Sequence, residues 1–280
     1  MTPLVEAAPA KLNLALHVRA RAADGYHEIE TIFAFAEDGD MLRGITSDGI
    51  GLAIEGPFGA ALAGEPDNLV LRAARLLAER ADIAAGAALT LIKNLPVASG
   101  LGGGSADAAA ALRLLNRLWN LNWSKQELAK LGESLGADVP ACVWSHMLFG
   151  MGRGDQFGAL TDGHLHQKPV LLVNPGAAVS TAAVFQGWDG VDRGPLEPEL
   201  SLPALRAARN DLEASAIRAA PEIAMVLEWL RVQEGAELVR MSGSGATCFA
   251  LFETEAARDA AAHAIARDRP DWWQMATRLR

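Results

Sequence analysis

Cysteine is scarce in this chain of 280 residues, with only Cys142 and Cys248. Two thiols make no disulfide framework; they suit a reducing compartment and read as small buried hydrophobes. Basic residues are outnumbered, 25 against 34 acidic, for a net charge of −9. That excludes a general nucleic-acid binder, which displays a basic stripe. No apolar run reaches the ~18–20 residues of a membrane span. Residues 1–10 have no charged segment followed by an apolar core, so no secretory leader is expected. Histidines and cysteines nowhere fall at metal-ligand spacing, so no metal is expected to be fixed by protein side chains. The expectation is a cytoplasmic protein with neither nucleic acid nor membrane as partner, a monomer or weak homodimer. Half its residues are hydrophobic, enough for the cores of two domains.

What the chain does have is glycine in one place. Gly100, Gly102, Gly103 and Gly104 fall within five residues, between a strand-like run at Ala87–Lys93 and a long apolar helix from Ala106 to about Trp119. Glycines permit close backbone approach, and a helix start presents free N–H groups with the dipole behind them. This is an anion site suited to phosphate. Ser105 adds a hydroxyl for a phosphate, a metal ion or the helix cap. The plainer alternative is a tight turn between strand and helix. Against it, Ala108–Leu112, Leu114, Leu115 and Leu118 leave the helix almost no polar face, so it is buried with its start aimed at a ligand. The loop carries no lysine, which excludes a P-loop, and its G-x-G-G-G spacing is not the dinucleotide fingerprint.

Along the chain, Leu12, Leu14, Leu16 and Val18 alternate with Asn13, Ala15, His17 and Arg19, a half-buried strand. Glu28–Phe35 reads as a second strand. Met41–Thr46 and Gly51–Glu55 read as a hairpin about Asp48-Gly49. Asp67-Asn68 caps a helix to about Ala81, and Ser124–Glu127 is a capping box for one that Gly136 ends. Gly150–Lys168 looks like a linker and carries the domain boundary, giving domains 1–155 and 156–280. The second half alternates strands (Val170–Asn174, Glu237–Met241, Thr247–Phe252, Trp272–Thr277) with helices near Ser180–Phe185 and Leu202–Arg206, one capped by Asn210 or Asp211, one begun by Pro221 and one capped by Thr254. This is an α+β sandwich. Val191–Leu202 is expected to be its most mobile loop.

Four motifs then stand in order: Pro9-Ala-Lys-Leu-Asn-Leu14, Asp24-Gly-Tyr-His27, Pro96–Ala106 with Gly136-Ala-Asp-Val-Pro140, and Ser242-Gly-Ser-Gly-Ala-Thr247. The ordered set resembles the GHMP kinase superfamily over residues 9 to about 252. The first two motifs narrow the resemblance to the branch acting on a cytidine diphosphate-linked methylerythritol. The resemblance implies an α+β, two-domain fold: a ribosomal protein S5 domain 2-like N-terminal domain, a ferredoxin-like C-terminal α/β sandwich, and an active site in the cleft between them. It implies ATP and Mg²⁺, and phosphorylation of a methylerythritol hydroxyl. A homoserine or mevalonate type of GHMP kinase and a non-catalytic nucleotide-binding module are the alternatives.

Carried onto this sequence, the resemblance makes Asp138 the general base, although an Asp before Val-Pro is otherwise an ordinary loop residue. Lys11, otherwise a lysine snorkelling at a strand edge, orients the hydroxyl or stabilises the transferring phosphoryl group. Asn13 lies on the same strand face. The ATP phosphates fall to Pro96, Val97, Ala98, Ser99, Gly100, Leu101, Gly102, Gly103, Gly104, Ser105 and Ala106. Several relatives have glycine where Ala98 and Ser99 stand, which implies altered loop stiffness rather than lost phosphate binding. The adenine is expected near Asn68–Arg72 and Lys93-Asn94. Tyr26 and His27 would recognise the cytosine, with Phe185 across from them; as plain residues, His27 is structural and Phe185 core. The resemblance also puts Thr181 in contact with substrate and sets the turn of Gly243 and Gly245 at the substrate end of the cleft, although that turn reads equally as a structural hairpin.

Overall fold

The computed structural model describes residues 2–62, 64, 67–161 and 163–280. Residue 162, inside the expected linker, lies outside them. Contacts group the chain into two compact units, one of residues 1–11, 38–97 and 102–145, the other of 12–37, 98–101 and 146–280.

Two long strands, β1 (Leu4–Arg21) and β2 (His27–Ser47), pair with each other and contribute residues to both units. β2 is continuous where two strands are expected, because Asp40, at the end of the polar Glu37–Asp40 stretch, is buried and hydrogen-bonded. In the first unit β3 (Ile50–Glu55) and β4 (Gly86–Ile92) follow, with α1 (Leu69–Arg80) between them. The expected hairpin does not form. β4 runs antiparallel to Met41–Ser47 and parallel to β3, so it lies between β2 and β3. A turn dipeptide reverses the chain locally, but pairing goes to the strand that buries more apolar surface.

Helices α2 (Gly103–Leu118), α3 (Lys125–Gly132) and α4 (Val139–Trp144) complete the first unit. α2 starts three residues before the expected Ala106, so Gly103 and Gly104 are helical. Ala108–Leu112, Leu114 and Leu115 are fully buried, as an all-apolar helix requires. α3 has both bonds of its capping box and ends at Gly132 rather than Gly136. Asn68 caps α1, accepting from the Val70 amide at 2.9 Å.

In the second unit the expected linker holds a hairpin, β5 (Leu148–Met151) with β6 (Gln156–Gly158), and β5 pairs with Thr31–Phe33. Then come β7 (Pro169–Asn174), α5 (Thr181–Gln186), α6 (Leu202–Ala207), α7 (Glu213–Ala219), α8 (Glu222–Arg231), β8 (Ala236–Met241), β9 (Cys248–Phe252), α9 (Glu255–Asp268) and β10 (Trp273–Arg278). The antiparallel sheet has the order β10-β7-β9-β8. Counting its four strands along the chain gives 4-1-3-2, the split β-α-β of a ferredoxin-like sandwich. Val173, Ala250 and Phe252 pack with Ile223, Val226 and Leu230 of α8 and Ile265 of α9 in its core. The 191–202 stretch is tied down at several points. Asp192 accepts from Arg19 at 2.6 Å, the Gly194 carbonyl from Arg209 at 2.9 Å, and Glu30 from the Leu196 amide at 2.7 Å.

Candidate active site

In the first unit, Lys11 is buried on β1 and its Nζ lies 3.0 Å from Asp138 Oδ2. Asp138 is not in a strained loop. It is the N-cap residue of α4 with ordinary right-handed backbone, and Pro140 stands inside the first turn of that helix. A third of its side chain is exposed, so the carboxylate is both paired and reachable.

Gly102 meets this pair. It caps α2 in the left-handed conformation, φ 62°, and a Cβ there would lie 2.8 Å from Lys11 Cε and 3.7 Å from Asp138 Oδ2. Only glycine suits both the backbone and the space. No side chain caps α2, so Ser105 does not serve as its cap and stays half-exposed in the first turn. The uncapped amides of that turn therefore start beside an ammonium and a carboxylate.

A cavity of about 440 Å³ in the same unit is lined by Leu52, Ile54, Gly59, Ala60, Leu62, Gly64, Asn68 and Leu71. Its lining side chains are apolar apart from Asn68. Lys93, by contrast, is engaged by Asp40 and Asp107 and is almost fully buried.

The second unit holds residues 98–101 of the glycine segment against the Ser242–Thr247 turn. Ser242 Oγ donates to the Gly100 carbonyl at 3.0 Å and accepts from the Asn13 amide at 3.2 Å, while the Thr247 amide donates to Ser99 at 3.0 Å. A Cβ on Gly100, φ 80°, would lie 2.6 Å from the Ser242 carbonyl oxygen. Ala98 has φ 52°, the left-handed region where glycine is at ease. Asn13 Nδ2 donates to Thr31 at 2.8 Å, and a Cβ at Gly243 would approach Asn13 Oδ1 to 3.2 Å. Gly245 has φ 86° in the same turn, and Thr181 and Ser244 share a hydroxyl hydrogen bond of 2.9 Å.

An aromatic group completes that unit. His27 is buried, its ring 5.1 Å from Phe185 and 5.8 Å edge-on from Trp188, and Arg21 Nε donates to its Nε2 at 3.2 Å. Burial, then the Arg21 charge, lowers its pKa, which favours a neutral imidazole with Nδ1–H available as a donor. Tyr26 is exposed and Arg153 lies 3.9 Å over its ring, with Asp24 holding the guanidinium. Phe185 thus packs at a tilt against His27, and Arg153 covers Tyr26.

Sequence reasoning missed Ser242, Arg153, Trp188 and the Lys93–Asp40–Asp107 group. Asp107 carried a signal, being the one charge in the apolar run Ala106–Leu112. The two thiols are inert, since burial, with Asp138 adding, pushes Cys142 up to about 12 and burial raises Cys248 well above its usual value. No described helix is long and apolar enough to cross a membrane.

Comparisons with known proteins identify the family. Residues 68–146 match the GHMP kinases N terminal domain and 198–271 the GHMP kinases C terminal domain. A 4-diphosphocytidyl-2-C-methyl-D-erythritol kinase of Rhizorhabdus wittichii is 55% identical, covering 98% of this chain and 94% of the relative. That of Sphingopyxis alaskensis is 48% identical, covering 97% and 96%. A crystal structure of 4-(cytidine 5'-diphospho)-2C-methyl-D-erythritol kinase superposes with a TM-score of 0.81 at 34% identity, covering 99% of both chains. A homoserine kinase from Cytophaga hutchinsonii shares the fold, with a TM-score of 0.69 at 18% identity over 98% of this chain and 94% of that one. The chain belongs to the 4-diphosphocytidyl-2-C-methyl-D-erythritol kinase family of the GHMP kinases.

Proposed function

We propose that the protein transfers the γ-phosphoryl group of ATP to the 2-hydroxyl of 4-diphosphocytidyl-2-C-methyl-D-erythritol, a step of the non-mevalonate route to isoprenoid precursors. The Lys11–Asp138 pair at 3.0 Å, beside the uncapped start of α2, carries the mechanism. Asp138 accepts the hydroxyl proton as the oxygen attacks the γ-phosphorus. Lys11 keeps positive charge next to the reacting oxygens as the bond to ADP breaks. Amides from Gly102 to Ser105 donate to phosphate oxygens with the helix dipole behind them, while the Ala106 amide is taken by the Gly102 carbonyl at 2.8 Å and lends only the helix turn. Mg²⁺ would arrive with the triphosphate and would supply charge neutralisation there, with the Ser105 hydroxyl as the group of this chain that would face it.

The adenine occupies the cavity bordered by Asn68. On the substrate side, His27 reads the cytosine edge through Nδ1–H and Tyr26 offers it an exposed ring. Asn13, Thr181, Phe185, Gly243 and Gly245 shape that region. The division into family domains 1–155 and 156–280 is part of the same proposal. The enzyme is expected to act in the cytoplasm as a monomer or weak homodimer.

The test is ATP consumption by the purified protein with 4-diphosphocytidyl-methylerythritol, homoserine, mevalonate or galactose as acceptor. Turnover is expected with the first alone. Equal turnover with homoserine or mevalonate, or no thermal protection by cytidine diphosphate, overturns the substrate assignment.

A further inference from the structure

We propose that Lys93, Asp40 and Asp107 are positioning residues that set the spacing between the strand-side and helix-side ends of the glycine segment, and so its grip on nucleotide phosphates. This rests on the ATP-dependent reading above. Lys93 Nζ donates to Asp40 Oδ2 at 2.5 Å and to Asp107 Oδ2 at 2.8 Å. Asp40 Oδ1 also accepts from the amides of Asn94 and Leu95, at 2.6 and 2.9 Å. One carboxylate therefore holds both the lysine and the backbone that leads into the glycines. On the other side, Asp107 belongs to the second turn of α2, and a Cβ at Gly103 would sit 2.9 Å from Lys93 Nζ. The ammonium thus abuts the first residue of α2.

All three side chains are at most 3% exposed. Burying ions is a poor source of stability, because desolvation offsets their attraction. Geometry is the better account: a single cation bridges β2, the end of β4 and α2 over short, directional bonds. Burial pulls the Lys93 ammonium down, yet Asp107 and Asp40 more than offset it, and its pKa is raised. Burial pushes the Asp107 carboxyl up to about 7 against the pull of Lys93. Asp107 Oδ1 has no hydrogen-bond partner among the described residues, so only Oδ2 serves the lysine. A neutral amide that keeps one acceptor oxygen suffices there.

The experiment uses the full-length enzyme, measuring KM for ATP and for the cytidyl substrate, Kd for ADP by calorimetry, and Tm. Lys93→Met is expected to raise KM for ATP and Kd for ADP about 10–100-fold, the scale of an ångström-sized misplacement. KM for the cytidyl substrate should stay within about twofold, because uniform binding on that side is untouched. Gly103→Ala should act alike, and the double variant should be no worse than the poorer single one, since both disturb one contact. Unchanged nucleotide constants in Lys93→Met, or equal weakening toward both substrates, overturns the proposal. If that variant does not fold, Asp107→Asn against Asp107→Ala decides. Weakened ADP binding in the alanine variant alone supports the triad; two equal variants sink it. A wild-type chain that binds no ADP overturns the nucleotide reading, whereas unaltered variants of a chain that does bind it overturn the triad alone.

Discussion

At the scale of single residues, the pairing of Lys11 with Asp138 spans 127 positions of sequence and rests on one 3.0 Å contact. Asp138→Asn keeps the size of the side chain and removes the proton acceptor. We expect kcat to fall about 10²–10⁴-fold, the usual contribution of a general base, with ADP affinity retained. Rapid kinetics with calorimetry checks both numbers. Lys11→Ala should lower kcat comparably, since it removes charge stabilisation that matters most in the transition state. The motif made both residues legible before any coordinates. It did not reveal that Asp138 opens a helix, because Val139-Pro140 reads as a turn until the following apolar residues are seen to pack.

At the scale of elements, α2 is the most legible piece of the chain. Its apolar composition predicts burial, and Leu114 is fully buried. Leu114→Ala is expected to cost about 2–5 kcal/mol in a denaturant titration, the range for a cavity in a packed core. The capping box of α3 is exposed, at the start of that helix. Ser124→Ala should lose about 1 kcal/mol of stability with kcat and both KM values unchanged. A change in kinetics there would mean that α3 communicates with Asp138 through α4. The strands are less legible. The pattern ends one strand at Phe35 and starts another at Met41, and Asp48-Gly49 reads as a hairpin turn. Both errors have one source: the partner that buries Asp40 is Lys93, and the strand that inserts beside β2 is β4, each distant in sequence.

At the scale of the whole molecule, stability against pH sums opposing groups. His17 is lowered by burial and then by Arg209, and His27 by burial and then by Arg21. Unfolded histidine takes up a proton below about 6.5 where these two resist it. Their contribution to stability is full above that pH and is lost as pH falls. Asp107 has the opposite sign. Its raised folded value means that the native state holds a proton the unfolded chain has released, so between about 4 and 7 it makes stability fall as pH rises. Asp107→Asn removes that second effect. Its Tm should rise more steeply from pH 5 to pH 7 than the wild-type Tm in differential scanning fluorimetry; parallel curves would refute the assignment of that proton.

Local chemistry is what the chain's order of residues could settle unaided: helix caps, the apolar helix, the glycine cluster, and motifs whose order marks the family. Those depend on neighbours within a few positions, where backbone sterics and hydrogen bonding act directly. Strand order, the uninterrupted β2, the hold on residues 191–202, and the burial of Lys93 between two carboxylates were decided by folding alone. Each depends on which distant groups exclude water from one another, and the solvation of a charge is a property of its surroundings rather than of its place in the chain.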